Sequence, residues 1–383
     1  MRVPSDADFG SRLRSAAVTA RVGLWLGVCF AVCFATGLVS HYAQNAAHPV
    51  PFPVSPVWGY RVTQGLHVIT GTAAVPLLLV KLWTVYPRLF RRPGRIPREV
   101  VLDLLERGSV LVLVASAVFQ LASGLANTAQ WYPWSFSFRA THYAVAWIAT
   151  GSVLLHVAVK LPVIRGALRA DVDDTAFDRA TAVEPGVLTR RGLLRTTWLA
   201  AGVAVLATAG STVPYPRRVS VLAVRSGDGP QDVPVNKSAA AAGVTASATR
   251  SDYRLVVAHG DRSVALTRAD LLAMPQTTHD LPIACVEGWS AGATWTGVRI
   301  RDLLDLVDRP RGSDVVVTSL QPSGPYRETL LQAEFADDER TLLALALHGE
   351  PLSIDHGYPA RLIAPDRPGV LQTKWVARIE VSA

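Results

Sequence analysis

The segment that decides the fold of the C-terminal half is Cys285–Leu304, CVEGWSAGATWTGVRIRDLL. It begins with the one cysteine that follows Cys33 in the chain, so no disulfide partner lies near it in sequence. Three roles are open for this thiol: a small buried apolar group, a catalytic nucleophile, or a soft metal ligand. The segment alone does not separate these roles, and its neighbours must be considered.

A second motif follows about seventy residues later, at Asp355–Val381, DHGYPARLIAPDRPGVLQTKWVARIEV. The two motifs together resemble the molybdopterin domain of the sulfite oxidase family, which includes the periplasmic methionine sulfoxide reductase catalytic subunits. The resemblance covers about Asp252 to Ala383. It implies a soluble α+β domain that binds Mo-molybdopterin, and two separated motifs in the right order are more specific than either one.

The resemblance also implies roles for individual residues. Cys285 matches the cysteine whose thiolate binds molybdenum in the family, and His356, Arg361 and Lys374 match the positions that hold the pterin and its phosphate. The chemistry agrees, because a dithiolene-bound metal needs one soft thiolate from the protein. Arg361 offers a bidentate fork for a phosphate and Lys374 offers a point charge. Taken singly, each of these residues is better explained as an ordinary turn or strand residue, but their combination at this spacing favours the cofactor site.

Two further residues are weaker catalytic candidates. Tyr326 lies in SGPYRETL, near the place where sulfite oxidases have an active-site tyrosine. Asp355 adjoins His356, and its carboxylate is expected to face the metal or the substrate.

The first half of the chain is dominated by apolar runs, and half of all residues are hydrophobic. Each of the first four runs is long enough to cross a hydrocarbon layer of about 30 Å as a helix. We therefore expect a membrane bundle of four transmembrane helices and a fifth, anchoring helix. The runs are Val22–Ser40, Gly65–Tyr86, Val110–Asn127, Ala140–Val163 and the shorter Trp198–Val213.

The net charge of +8 is uneven, since arginines cluster at the N-terminus and at Pro87–Arg107. The intervening segments Tyr42–Arg61 and Thr128–Arg139 contain one arginine each. The positive-inside rule then places the N-terminus in the cytoplasm and the C-terminal domain on the outer face of the cell membrane. Because the basic residues flank apolar helices and form no stripe with aromatics, nucleic-acid binding is not indicated.

The segment Thr189–Gly210, TRRGLLRTTWLAAGVAVLATAG, has two readings. It is either an ordinary fifth span or a segment that resembles a twin-arginine export signal. The expected domains are a cytochrome b-like bundle at 1–170, this segment and its helix at 171–214, a flexible linker at 215–251 and the molybdopterin domain at 252–383.

Histidines within the spans suggest a second cofactor. His142 and His156 are fourteen residues apart, which puts them on one helix face about 21 Å apart. This resembles the cytochrome b subunits of membrane formate dehydrogenases and nickel–iron hydrogenases, and it implies haem b. His67 and His142 enter from the same side and are expected to ligate one outer haem iron. His156 is the candidate for a second haem, but the inner end of the first span lacks a histidine partner. The alternative is that these histidines only form hydrogen bonds between helices.

The sequence thus predicts a molybdenum-dependent oxidoreductase that carries out a two-electron oxygen-atom transfer. The membrane half would link it through haem b to the quinone pool or another membrane electron donor. Reduction of a small-molecule or protein sulfoxide, or of an N-oxide, is the first expectation, and sulfite oxidation is the rival. A membrane-anchored binding module without cofactor is the alternative from another class.

Overall fold

The computed structural model describes residues 8–87, 97–213, 215–223 and 229–382. The chain divides into two compact units. One comprises Met1–Gly37 and Leu66–Thr208, and the other comprises Leu38–Gly65 and Ala209–Ala383.

The first unit is helical. Each predicted apolar run forms a helix, and the helices continue beyond the runs because their flanking residues are also good helix formers. Five helices are long and apolar enough to cross a membrane. The helices are α1 Ala16–Ala43, α2 Gly59–Val85, α3 Pro97–Thr128, α4 Phe138–Arg169 and α5 Arg190–Thr208. Arginines 88, 91, 92 and 95, which support the predicted topology, lie outside the described residues.

Large apolar side chains cover much of the outside of these helices. Leu79, Leu111, Leu154 and Leu199 are each more than 60% exposed. Such surfaces are typical of helices that face lipid, because there is no water in a bilayer to penalise them.

The twin-arginine pair lies at the start of α5 and is held by acidic residues of the preceding segment. Arg190 is buried and pairs with Asp178, while Arg191 pairs with Asp171 at 2.9 Å. Export through this motif stays a prediction.

The second unit contains two five-stranded sheets and a two-stranded hairpin. The first sheet has the order β2-β1-β12-β7-β8, where β1 and β12 are parallel and the other pairs are antiparallel. The second has the order β10-β9-β6-β3, with β11 also paired to β9. The helices of the second unit are α6 Thr245–Ala248, α7 Arg268–Ala273, α8 Ile300–Asp305 and α9 Ala333–Asp337. Its strands are β1 Arg254–His259, β2 Arg262–Thr267, β3 Thr277–Asp280, β4 Ile283–Ala284, β5 Ser290–Ala291, β6 Thr294–Arg299, β7 Val315–Ser319, β8 Glu328–Leu331, β9 Leu342–Leu347, β10 Glu350–Pro351, β11 Arg361–Ile363 and β12 Val376–Val381.

Local sequence signals explain the first part of this unit. The sequence HGDR predicts a hairpin, and β1 and β2 pair in antiparallel fashion around it. Thr267 begins α7 with a capping box, in which its hydroxyl accepts the Asp270 N–H and the Asp270 carboxylate accepts the Thr267 N–H.

The expected flexible linker differs from the structure. The described residues 229–251 form turns and short helices, and Val233, Ala239, Val244 and Ala248 are buried. The small residues that suggested disorder instead let the chain lie closely on the domain, where they pack against Trp375.

The connection between α1 and α2 also differs from expectation, because residues 38–65 belong to the second unit. The Leu330 N–H donates to the Ala46 carbonyl at 2.8 Å, and the Gln332 side chain donates to the Pro49 carbonyl at 2.7 Å. At its end, the Tyr60 N–H donates to Asp366 Oδ1 at 2.7 Å. This connection therefore completes the unit that holds Cys285.

Candidate functional site

Cys285 lies in the tight turn between β4 and β5. Its N–H donates to the Trp289 carbonyl at 2.9 Å, and the Gly288 N–H donates to the Cys285 carbonyl at 3.1 Å. Gly288 has a φ of +86°, which glycine adopts without strain. The turn fixes the cysteine backbone, and the side chain is 1% exposed.

Burial raises the pKa of the Cys285 thiol well above its ordinary value, and the nearby Glu287 charge raises it further. The Glu287 carboxylate itself accepts the Trp289 indole N–H at 2.9 Å. The charge of Lys374 acts in the opposite direction. A thiol in this environment stays protonated until a cation replaces the lost solvation of its thiolate.

His356 ends a short 3-10 helix, Ile354–His356, directly before Gly357. Its ring Nε2 lies 2.6 Å from the Pro230 carbonyl, while the buried Nδ1 has no hydrogen-bond partner among the described residues. Burial, and then the charge of Arg361, lowers the pKa of His356 to about 4. The ring is therefore neutral at pH 7.

Gly357 brings three site residues together. Its φ is +111°, and a Cβ atom here would lie 3.1 Å from the Arg361 Cβ and 3.2 Å from the Lys374 Cα. The HGYP turn, β11 and the segment that leads into β12 thus meet at one point, which requires a residue without a side chain.

Arg361 is 2% exposed, and its guanidinium lies 5.2 Å from the Trp295 ring centroid. Nη1 donates to the His356 carbonyl at 3.2 Å, and Nε has no partner among the described residues. Burial lowers the pKa of Arg361 to about 9. A buried guanidinium needs an anion or several acceptors to offset its lost hydration, so Arg361 is suited to bind an anionic group.

Lys374 is the second buried cation. Its ammonium donates to the carbonyls of Lys237 at 2.9 Å and Asp355 at 2.8 Å. Burial, and then the charge of Arg361, lowers the pKa of Lys374 to about 7. Each of these two cations thus destabilises the other, and an anionic group between them would relieve both.

Asp355 and Tyr326, the two weaker catalytic candidates, form hydrogen bonds with other parts of the second unit. The Asp355 carboxylate accepts the Ala239 N–H at 2.7 Å, so it anchors the segment before β1. The Tyr326 hydroxyl lies 3.3 Å from the Gln44 carbonyl in the α1–α2 connection. These contacts give both residues a structural task, and their catalytic roles stay predictions.

The two sequence motifs meet at Gly369. A Cβ atom there would lie 2.8 Å from the Ala284 carbonyl, next to Cys285. Trp295 contacts residues of both motifs. It packs in the same apolar cluster as Cys285, and its ring lies beneath the Arg361 guanidinium. The fold therefore places Cys285, His356, Arg361 and Lys374 around one region.

Sequence reasoning missed three contributors to this region: Trp295, and the backbone carbonyls of Pro230 and Lys237. Trp295 is a generic core residue in sequence, and only its contact with Arg361 distinguishes it. Pro230 and Lys237 act through their backbones, and a carbonyl carries no sequence signal. The small, polar composition of their segment pointed instead to disorder.

The C-terminal part of the chain is similar to known proteins. The model of the oxidoreductase molybdopterin binding domain matches residues 242–383. The mitochondrial sulfite oxidase of Drosophila melanogaster is 31% identical over 34% of this chain and 27% of that protein. The protein-methionine-sulfoxide reductase catalytic subunit MsrP of Xanthomonas campestris is 36% identical over 25% of this chain and 34% of that protein.

Among solved structures, the sulfane dehydrogenase SoxCD from Paracoccus pantotrophus matches 34% of this chain and 38% of that chain, at 27% identity and a TM-score of 0.31. The chain spans about a quarter to a third of the curated relatives' length. Residues 242–383 thus match a molybdopterin-binding oxidoreductase domain, and this part of the chain is similar to sulfite oxidases and to the methionine sulfoxide reductase subunit.

The residues present fit that cofactor. Arg361 Nε and His356 Nδ1 are buried polar atoms without described partners, and Lys374 is a second buried cation. Within the described residues, no cluster of three or more histidine, cysteine or acidic side chains is arranged to hold a metal ion. One thiolate with buried cations suits a metal whose other ligands come from an anionic organic cofactor.

The helical unit contains a separate pair of histidines. The rings of His67 on α2 and His142 on α4 have centroids 6.4 Å apart. His67 Nδ1 lies 3.0 Å from the Cys33 carbonyl, and His142 Nδ1 lies 3.0 Å from the Ser123 hydroxyl. Both Nδ1 atoms are thus engaged, which leaves each Nε2 for a ligand.

His156 and Lys81 lie at other positions on the helices. His156 lies fourteen residues beyond His142 on α4, and its side chain is half-buried. The Lys81 ammonium donates to the Thr19 carbonyl of α1 at 2.9 Å. This lysine links two helices, which agrees with a structural role.

Proposed function

We propose that this protein is a membrane-anchored molybdopterin enzyme that reduces a sulfoxide or an N-oxide with electrons from the quinone pool. The observation that carries the proposal is the buried pair of cations, Arg361 and Lys374, beside the single thiol Cys285. Burying two positive charges without an anion is unfavourable, and folding alone gives no reason for it.

The site residues have separable tasks. Bound molybdenum would supply two-electron oxygen-atom transfer, with Cys285 as its protein thiolate. Arg361 and Lys374 would hold the phosphate of the pterin, and neutral His356 would accept a hydrogen bond from the pterin at Nδ1. The reaction consumes two electrons and two protons: R₂SO + 2e⁻ + 2H⁺ → R₂S + H₂O.

The helical unit would supply the electrons. Five helices have the length and apolar composition of membrane spans, and their exposed leucines support a lipid environment. The arginine distribution supports a cytoplasmic N-terminus. We place haem b between His67 and His142, since these residues lie on two of the spanning helices.

The geometry of the histidine pair supports this assignment. The rings of His67 and His142 have centroids 6.4 Å apart, so both would be available to hold one haem iron between α2 and α4. Gly37 also leaves room at the ring, because a Cβ there would lie 3.1 Å from the His67 Cε1. His156 remains a proposed ligand for a second haem.

Sulfite oxidation is the second candidate, because sulfite oxidases are among the relatives. The methionine sulfoxide reductase subunit has the higher identity over its matched segment, 36% against 31%. A quinol donor also favours reduction of the substrate.

Metal analysis and an optical spectrum of the purified full chain test the proposal. We expect molybdenum and a b-type haem spectrum, and reoxidation of the reduced protein by sulfoxides or N-oxides. Sulfite-dependent haem reduction, without sulfoxide turnover, would favour the rival. If protein produced in a host that makes both cofactors contains neither molybdenum nor haem, the result would favour a binding module.

A further inference from the structure

The helical unit contains a cavity of about 320 Å³ that the haem pair does not use. We infer that this cavity binds the ring of a membrane quinone, which deepens the proposed function and rests on it. The cavity lies between α1, α2, α4 and α5. The residues that line it include Arg21, Leu24, Trp25, Leu77, Thr197 and Trp198.

The aromatic wall of the cavity suits a flat ring. Trp25 and Trp198 meet edge to face, with ring centroids 4.9 Å apart. Both side chains are more than 40% exposed on the outside of the helices. In a bilayer that exposure is to lipid, so a ligand would enter from the membrane and must itself be lipid-soluble.

The polar groups of the cavity suit the oxygens of a quinone or quinol. Arg21 donates three hydrogen bonds, to the carbonyls of Ala17, Ala167 and Ala170. A guanidinium has five N–H groups, so these bonds to described carbonyls leave two for a quinone oxygen. The Thr197 hydroxyl donates to the Leu193 carbonyl at 2.8 Å, and its oxygen still accepts a quinol O–H. An acyl chain would use neither group.

The volume also limits the occupant. Small-molecule sites are about 300–1,000 Å³, mostly apolar, with a few placed polar groups. At about 320 Å³, the cavity has room for one ring system, and an isoprenoid tail would extend into lipid beside Leu24 and Trp198.

The cavity is also within useful reach of the histidine pair. On α2, Leu77 is ten residues from His67, which is about 15 Å along the helix. On α1, Trp25 is eleven residues from Thr36, whose hydroxyl contacts His67, and this gives about 16 Å. Two helices thus give the same separation between the cavity and the haem site.

The electron balance closes with a quinol as reductant. Quinol oxidation breaks two O–H bonds and releases two protons and two electrons, QH₂ → Q + 2H⁺ + 2e⁻. The sulfoxide accepts both electrons, so the net reaction is QH₂ + R₂SO → Q + R₂S + H₂O. Haem would carry the electrons one at a time.

Trp198→Leu in the full chain tests the site, with Leu199→Ala as the matched control. Leu199 is the next residue of α5, is 68% exposed and does not line the cavity. The probe is a short-chain naphthoquinol, and the readouts are the rate of haem reduction and the saturable quenching of tryptophan fluorescence by the corresponding quinone.

We expect Trp198→Leu to weaken quinone binding about tenfold, equivalent to about 1.4 kcal/mol. Haem reduction by quinol should slow in parallel, and reduction by dithionite should not change. Leu199→Ala should match the wild type, and Thr197→Val should weaken quinol more than quinone.

Normal quinol-driven reduction in both Trp198→Leu and Thr197→Val would refute the cavity assignment and leave the haem function intact. Quenching that does not saturate, or that phospholipid displaces, would also refute it, in favour of an acyl chain. If the wild type contains no haem, the proposed function fails, while saturable quenching that depends on Trp198 would still support the quinone site.

Discussion

The two candidate sites differ in the charge that each can accept. Arg361 and Lys374 are buried in the C-terminal site. Burial lowers the pKa of Arg361 to about 9 and the pKa of Lys374 to about 7. The helical site presents two imidazoles whose Nδ1 atoms are engaged by a carbonyl and a hydroxyl. The first arrangement needs an anion, whereas the second suits a metal in a largely apolar ligand.

The sites also differ in how the backbone positions their residues. Around Cys285, tight turns and the close approach of Gly357 bring distant segments together. Around His67, side chains and a carbonyl from α1 to α4 contribute, and the helical repeat and the depth of each residue along its helix set the positions. A site built from turns is therefore sensitive to backbone shape, and a site built from helices is sensitive to the size of single side chains.

The largest expected effect comes from Cys285→Ser. Changing a residue that only hydrogen-bonds to a metal ligand costs about 10–100-fold. Losing the ligand itself should cost more, so we expect turnover to fall by more than about a hundredfold. Activity assays with molybdenum analysis measure this. Cys29→Ser, at a buried cysteine of α1, should leave turnover unchanged. Unimpaired turnover by Cys285→Ser protein would show that the thiolate is not the ligand.

His67→Ala tests the second site in the same way. The variant should lose the outer haem, because one iron ligand is missing, while the molybdenum content stays at the wild-type level. An optical spectrum and metal analysis of the same sample measure both. His41→Ala, near the end of α1, is the control and should keep the haem. A visible spectrum that is unchanged in His67→Ala would make the outer-haem assignment wrong.

Asp366→Asn sharpens the comparison through pH. Burial raises the pKa of Asp366 to about 6, although the N–H groups of Gly59 and Tyr60 act against this. A carboxyl group with a raised pKa binds its proton more tightly in the folded protein than in the unfolded chain. The folded protein therefore loses stability as pH rises from about 4 to about 6. Relative to the variant, the wild type should lose up to about 3 kcal/mol of unfolding free energy over that range.

Unfolding of the full chain in detergent at several pH values measures the difference. Asp270→Asn is a control of opposite sign, because hydrogen bonds from Thr267 lower the pKa of Asp270. Relative to that variant, the wild type should gain stability as pH rises through the acidic range. If the wild type also gained stability relative to Asp366→Asn, the α2 N–H groups would outweigh burial.

Gly37→Ala has the smallest expected effect. The added methyl group would lie 3.1 Å from the His67 ring, so the haem spectrum or its midpoint potential should shift without loss of haem. Gly27→Ala, in the same helix, has nothing within 4 Å of its new Cβ. It should leave the haem unchanged and stabilise the helix by about 1 kcal/mol. Equal spectra for both variants would show that Gly37 does not border the ligand.

Regular patterns were the predictable part of the fold. Apolar runs predicted all five long helices, since length and composition are properties of contiguous sequence. The β1–β2 hairpin and the Thr267 cap follow from local turn chemistry. The pairing of β1 with β12 and of β6 with β9 was not predictable in the same way, because each pairing joins segments far apart in the chain.

The sequence by itself determined the long helices and the residue types of both sites, because apolar length and motif spacing need no knowledge of distant contacts. The tertiary structure decided that residues 229–251 pack on the domain, that the α1–α2 connection joins the second unit, and that Trp295 lies beneath Arg361. These contacts join residues far apart in the chain through backbone carbonyls and close packing. Such contacts leave no periodic pattern in the sequence.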